Sequence, residues 1–76
     1  MLTAEQVLDR YYLDTRCMLL EIAATLDRYD RTGGREAADP ARRDVAIYRG
    51  LDILADRSAR PDRAERLLML LSDSAE

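Results

Sequence analysis

The chain has 76 residues, with 12 cationic and 15 acidic side chains and a formal net charge of −3. All of the cations are arginines. A mildly acidic chain without a basic stripe is a poor match for nucleic acid or for an anionic membrane surface. One domain of this length buries only about 60% of its unfolded surface. It therefore needs help from a disulfide, a metal or a second chain.

The cysteine and histidine counts exclude an internal disulfide and the commonest kind of zinc site, whereas a calcium or magnesium site built from carboxylates alone stays possible. Cys17 is the only cysteine, so no internal disulfide can form. Without histidine, a zinc site of the common Cys/His kind is excluded within one chain, and no cofactor is predicted. A homo-oligomer, in the simplest case a dimer, is the predicted source of stability. An unidentified protein partner is a further possibility.

Two features of the chain predict a cytoplasmic protein. One unpaired thiol fits a reducing compartment, and the first residues lack the basic-then-apolar pattern of an export signal. The longest uninterrupted apolar run is Leu67–Leu71, far shorter than the ~20 residues of a membrane-spanning helix. No membrane contact is therefore predicted.

The first predicted helix covers about residues 4–31. Thr3 and Gln6 have the spacing of a capping box, and Leu2 and Val7 that of a hydrophobic staple. Neither proline nor glycine interrupts the segment until the stop signal at residues 32–34, Thr-Gly-Gly. At 1.5 Å per residue the helix would be roughly 42 Å long.

Two shorter helices are predicted after a polar loop. Helix 2 covers about residues 40–57, with Asp39 as its N-cap and Pro40 at its first position. Helix 3 covers about residues 61–72 and opens at Pro61. The predicted fold is all-α, with one domain over residues 1–76. The long N-terminal helix forms an antiparallel hairpin with helix 2, and dimerisation completes a bundle.

Helices 1 and 2 both carry an apolar face. At 100° per residue, one broad side of helix 1 gathers Val7, Leu8, Tyr11, Tyr12, Met18, Leu19, Ile22, Ala23, Leu26 and Tyr29. The matching stripe of helix 2 comprises Ile47, Tyr48, Leu51, Leu54 and Ala55. These two faces are predicted to pack together as the core of the hairpin.

A second apolar line lies on the opposite side of helix 1. It consists of Leu13, Cys17, Leu20 and Ala24, whose spacing is that of a coiled-coil seam. Charged residues border it on both sides. The pattern favours self-association through this seam, and coverage by helix 3 is the alternative.

Helix 3 is apolar on more than one side and is a second candidate for a partner contact. Leu67 lies on its main stripe, while Met69 and Leu70 lie elsewhere around it. An apolar segment of this kind must be buried on several sides. Its alternative role is a lid on the open end of the hairpin.

No residue cluster predicts catalysis. Asp44 lies near the core stripe of helix 2, where a tyrosine hydroxyl would satisfy its carboxylate. The layout resembles that of the all-helical chorismate mutases, with Arg10, Arg16 and Arg28 along helix 1. The chain has no lysine to complete a basic dicarboxylate pocket, so no catalytic residue is carried over.

The predicted function is therefore protein–protein interaction, as an adaptor, assembly factor or regulatory subunit that self-associates. Its predicted contact residues are Leu13, Cys17, Leu20, Ala24, Leu67, Met69 and Leu70. The alternative is a small-ligand or metal-binding enzyme with an arginine-lined pocket between subunits. That alternative requires at least two arginines that point into a pocket.

Overall fold

The computed structural model describes residues 1–58 and 60–74. Across these residues the chain forms helices joined by short turns, with no strand, so the all-α class is confirmed. The elements in chain order are α1 (Ala4–Arg31), a 3-10 turn (Arg35–Ala37), a π-helical segment (Ala41–Tyr48), α2 (Arg49–Ala55) and α3 (Arg63–Ser74).

Local signals set both ends of α1. The Gln6 amide donates to the Thr3 hydroxyl at 3.1 Å, and the Thr3 amide donates to the Gln6 side chain at 2.9 Å. At the other end, the amide and hydroxyl of Thr32 both donate to the Tyr29 carbonyl, at 3.2 and 2.7 Å. Gly34 lies just beyond this cap and has a φ of 73°, in the left-handed region that favours glycine. The predicted bounds of 4–31 are confirmed.

The second helical stretch begins at the predicted cap. The Asp39 carboxylate accepts the Ala41 amide at 3.0 Å, and the Asp39 carbonyl accepts the Arg43 amide at 3.0 Å. Asp39 thus supplies the N-cap in side chain and backbone alike.

The winding of this stretch differs from the continuous α-helix that the sequence predicts. From Ala41 to Tyr48 it is π-helical, and the Arg49 amide donates to the carbonyl of Asp44, five residues earlier. Regular α-helix follows and ends at Ala55, two residues before the predicted end. It ends there because Asp56 is extended and its carboxylate accepts the Ser58 amide at 2.9 Å, as in an Asx turn.

Helix α3 begins at Arg63, two residues later than predicted, and extends to Ser74. The Arg66 amide donates to the carbonyl of Asp62 at 3.0 Å, so Asp62 is the residue that directly precedes the first residue of the helix. Pro61 lies in the connector rather than in the first helical turn.

The backbone contacts of the chain group into two units, Met1–Arg35 and Glu36–Glu76. The first unit consists of α1 and its terminal caps. In the second, α3 packs against both the π-helical segment and α2. A single domain and a hairpin between helices 1 and 2 remain predictions.

The packed face of the second unit differs from the predicted stripe. Ile47 and Leu54 are exposed, whereas Val45, Ala46 and Ile53 are half-buried. The stripe was drawn at the angular spacing of an α-helix, which the π-helical segment does not follow. The half-buried side of α3 comprises Arg63, Arg66, Leu67 and Leu70.

Gly50 is the buried residue at the centre of this packing. A Cβ atom added there would lie 3.2 Å from the Leu67 Cδ1 atom. A glycine inside a helix lets a neighbouring helix approach closely, and the contact with α3 accounts for it here.

Candidate interaction surfaces

The predicted seam lies along α1 with its side chains exposed. Leu13 is 69% exposed and Leu20 is 58% exposed. Cys17 and Ala24, which alternate with them, are exposed as well, and the Cys17 thiol is free. One uninterrupted helix therefore presents two large and two small apolar residues in a line.

The broad face of α1 is also largely exposed, and its packing against helix 2 remains a prediction. Leu8 and Leu19 are 63% and 62% exposed, and no residue of α1 is fully buried. Only Ile22, Leu26 and Tyr29 are half-buried. A shallow groove of about 310 Å³ follows the N-terminal half of this face, lined by Val7, Leu8, Tyr11, Tyr12, Thr15, Arg16 and Leu19.

Helix α3 presents a different set of side chains from the one predicted. Of the predicted contacts, Met69 is 62% exposed, whereas Leu67 and Leu70 are half-buried. Leu68, at 68% exposed, and Leu71 complete the outer surface. The exposed side of α3 therefore differs in part from the predicted contact residues, because the sequence does not show which side of α3 the preceding helical stretch covers.

The connector between α2 and α3 is held by an ionic cluster. Arg66 Nη1 donates to a carboxylate oxygen of Asp56 at 2.7 Å and lies 3.8 Å from Asp62. Arg63 donates to the Asp56 carbonyl through Nε at 2.8 Å and also through Nη2. The Ser58 amide and the Arg66 guanidinium together lower the pKa of Asp56 to about 2.

This cluster borders a polar cleft of about 390 Å³, lined by Asp56, Ser58, Arg60, Asp62 and Arg66. The Asp62 Oδ1 atom is shielded from solvent and has no hydrogen-bond partner. Since Asp56 and Asp62 already face the Arg66 guanidinium, the cluster works as a structural clasp that joins the end of α2 to the start of α3.

The environment of Asp44 differs from the one predicted. Its carboxylate pairs with the neighbouring Arg43 guanidinium through two hydrogen bonds of 2.9 Å, and this pairing lowers the pKa of Asp44. It does not pair with a tyrosine hydroxyl, because its side chain is exposed beside Arg43. The Tyr29 hydroxyl instead donates to the Arg35 carbonyl at 3.4 Å.

The enzyme alternative places its arginine pocket between two subunits, so it remains a prediction. Of Arg10, Arg16 and Arg28, only Arg16 lines the groove on α1, and the other lining residues are mostly apolar. Among the residues that the structure describes, no three acidic, cysteine or histidine side chains group as a metal site.

Comparison with family models, with curated proteins and with solved structures finds no match to this chain. Within the described part of the chain, no helix is both long enough and apolar enough to cross a membrane. The exposed apolar surfaces of α1 and α3 are therefore the features that bear on function.

Proposed function

We propose that this chain is a small helical protein–protein interaction module that self-associates through the seam of α1. The seam is defined by Leu13, Cys17, Leu20 and Ala24. The module acts by buried contact rather than by catalysis, as an adaptor, assembly factor or regulatory subunit.

The observation that carries the proposal is the exposure of Leu13 and Leu20 on one line of a 28-residue helix. Contiguous apolar surface bordered by charge is typical of a contact site. Full burial of a leucine side chain contributes about 1.5–3 kcal/mol. With more than half of each side chain still exposed, a partner helix can recover about 1 kcal/mol or more from each leucine.

The outer surface of α3 supplies a second contact in this proposal. Leu68 and Met69 extend the exposed apolar surface there. They replace Leu67 and Leu70, whose half-buried side chains belong to the packing of the second unit. The free, exposed Cys17 thiol fits a cytoplasmic location, where such a thiol stays reduced.

The first test is the absolute mass in solution, measured by light scattering behind a sizing column across a dilution series under reducing conditions. We expect a mass near twice the 8.7 kDa of one chain. The double variant Leu13→Glu, Leu20→Glu should shift this mass to that of a monomer, because four buried leucines per dimer are replaced by charges.

A matched control is the double variant Leu8→Glu, Leu19→Glu. These leucines have similar exposure on the same helix but lie on the broad face. The control should keep the dimer mass. A monomeric parent chain, or a dimer that survives both glutamates in the seam, would show that the proposal is wrong.

A further inference from the structure

We infer that the second copy binds antiparallel, with Leu13 opposite the partner's Ala24 and Cys17 opposite the partner's Leu20. This inference rests on the proposed self-association and specifies its geometry. The partner surface is the same seam on another copy of this chain, related by a two-fold axis near the middle of α1.

The order of side-chain sizes along the seam favours this register. From the N-terminal end the seam reads large, small, large, small: Leu13, Cys17, Leu20, Ala24. In the antiparallel register each large residue meets a small one, so the layers have similar volumes. Continuing the alignment outwards places Gln6 opposite the partner's Arg31, so the overlap covers nearly the whole length of α1.

The charges at the ends of the seam select the same orientation. The next positions of the pattern are Arg10 at one end and Asp27 at the other. Antiparallel pairing places Arg10 opposite the partner's Asp27, twice per dimer. Parallel pairing would place Arg10 against the partner's Arg10 and Asp27 against the partner's Asp27, and like charges at these positions disfavour association.

Other antiparallel registers lose this match. A shift of one heptad in one direction places Arg10 opposite the partner's Leu20. A shift in the other direction places Asp27 opposite the partner's Cys17. Only the proposed register pairs all four seam residues with apolar residues and both end charges with opposite charges.

The borders of the seam oppose this arrangement only weakly. Asp14 comes to lie near the partner's Glu21, and Asp9 near the partner's Asp30, in positions open to water. Each like-charge pair occurs twice per dimer, and one exposed pair changes an equilibrium constant by about twofold, so the four together weaken association about tenfold at low salt. Salt screens such exposed charges, so the opposition is weak only at physiological ionic strength. The end pairs adjoin the apolar layers, where water is excluded and charges interact more strongly.

The test uses two single-cysteine versions of the full chain, one carrying Cys17→Ser with Leu13→Cys and the other Cys17→Ser with Ala24→Cys. They are mixed in equal amounts at a concentration where light scattering reports the dimer. After mild oxidation, intact mass spectrometry distinguishes the crosslinked pairs. Two cysteines can be bridged only where their Cα atoms lie within about 7 Å.

The antiparallel register predicts that the mixed pair is the dominant crosslinked product, with each version alone giving little. Because each version carries a single cysteine, every crosslink joins two chains. As a second measurement, Arg10→Asp should raise the dimer dissociation constant about tenfold, and adding Asp27→Arg should restore it.

Each other outcome is decisive. Same-version crosslinks without mixed ones would establish a parallel dimer, which overturns this inference and leaves self-association intact. A dimer by mass that forms neither crosslink would place the contact on another surface and also overturns it. Monomers at all concentrations would overturn the proposed function together with the inference.

Discussion

The contact between Gly50 and Leu67 determines how replacing Gly50 by alanine should change the stability of the chain. Replacing glycine by alanine inside a helix stabilises it by about 1 kcal/mol through backbone propensity. At this position the new Cβ atom would lie 3.2 Å from the Leu67 Cδ1 atom, closer than ordinary van der Waals contact. Moving the leucine off its preferred rotamer costs about 0.5–1.5 kcal/mol. The two effects nearly cancel, so Gly50→Ala should change stability by less than about 0.5 kcal/mol.

The cancellation depends on Leu67 and can be removed. In a Leu67→Ala background the obstructing atom is absent, so Gly50→Ala should stabilise the chain by the full ~1 kcal/mol. The double-mutant cycle should therefore give a coupling of about 0.5–1.5 kcal/mol. Gly33→Ala serves as the control, because a Cβ there meets open space and its φ is not positive. That control should stabilise by about 0.4–1 kcal/mol.

The assay is urea unfolding followed by far-UV circular dichroism, with amide hydrogen exchange to locate the change within Arg49–Ala55 and Arg63–Ser74. A gain of about 1 kcal/mol from Gly50→Ala in both backgrounds, with no coupling, would refute the reasoning. It would mean that α3 does not approach α2 closely at this point.

Three further outcomes are expected. Thr3→Ala should destabilise α1 by about 1 kcal/mol and increase exchange in its first turn, whereas Thr25→Ala, which removes a hydroxyl bonded to the Glu21 carbonyl, should not destabilise it. Gly34→Ala should cost about 1 kcal/mol in the same unfolding assay, because its φ of 73° disfavours a side chain, and a neutral result would contradict that geometry. The pKa of Asp56 lies below its ordinary value of 3.8, at about 2, so its ionised form is stabilised by folding. That stability is present above pH 4 and lost as the pH falls towards 2. Asp56→Asn should flatten this part of the pH–stability profile, and an unchanged profile would count against the clasp.

The sequence predicted elements wherever a local signal was sufficient. The Thr3–Gln6 capping box and the Thr-Gly-Gly stop placed α1 to the residue, because both depend only on neighbours in the chain. The Asp39 cap was found for the same reason. Helix starts and stops of this kind need no knowledge of tertiary contacts.

Features that depend on packing were predicted less well. The π-helical winding of Ala41–Tyr48 was not predicted, because it leaves no signal in apolar spacing. The clasp at Asp56 was missed because its partners, Arg63 and Arg66, are seven and ten residues away. The exposed side of α3 could not be assigned for the same reason. The sequence does not show which side of α3 faces Gly50, so it could not separate the half-buried Leu67 from the exposed Leu68.

The candidate seam was found because its spacing is periodic. Leu13, Cys17, Leu20 and Ala24 repeat at the coiled-coil interval, and the pattern is independent of the rest of the chain. The broad face was assigned to the core of a hairpin because an apolar face of a helix ordinarily packs there, and that packing remains a prediction.

The two apolar faces of α1 lie on opposite sides of one helix, so the proposed contact through the seam leaves the broad face outside that contact. A helix with one apolar contact face forms closed dimers, whereas a helix with two contact faces can bind neighbours on both sides. Once the seam is occupied, the broad face with Leu8 and Leu19 still has to be covered if assembly is to end at a pair. The proposed dimer therefore ends at two chains if helix 2 covers the broad face, as the predicted hairpin requires.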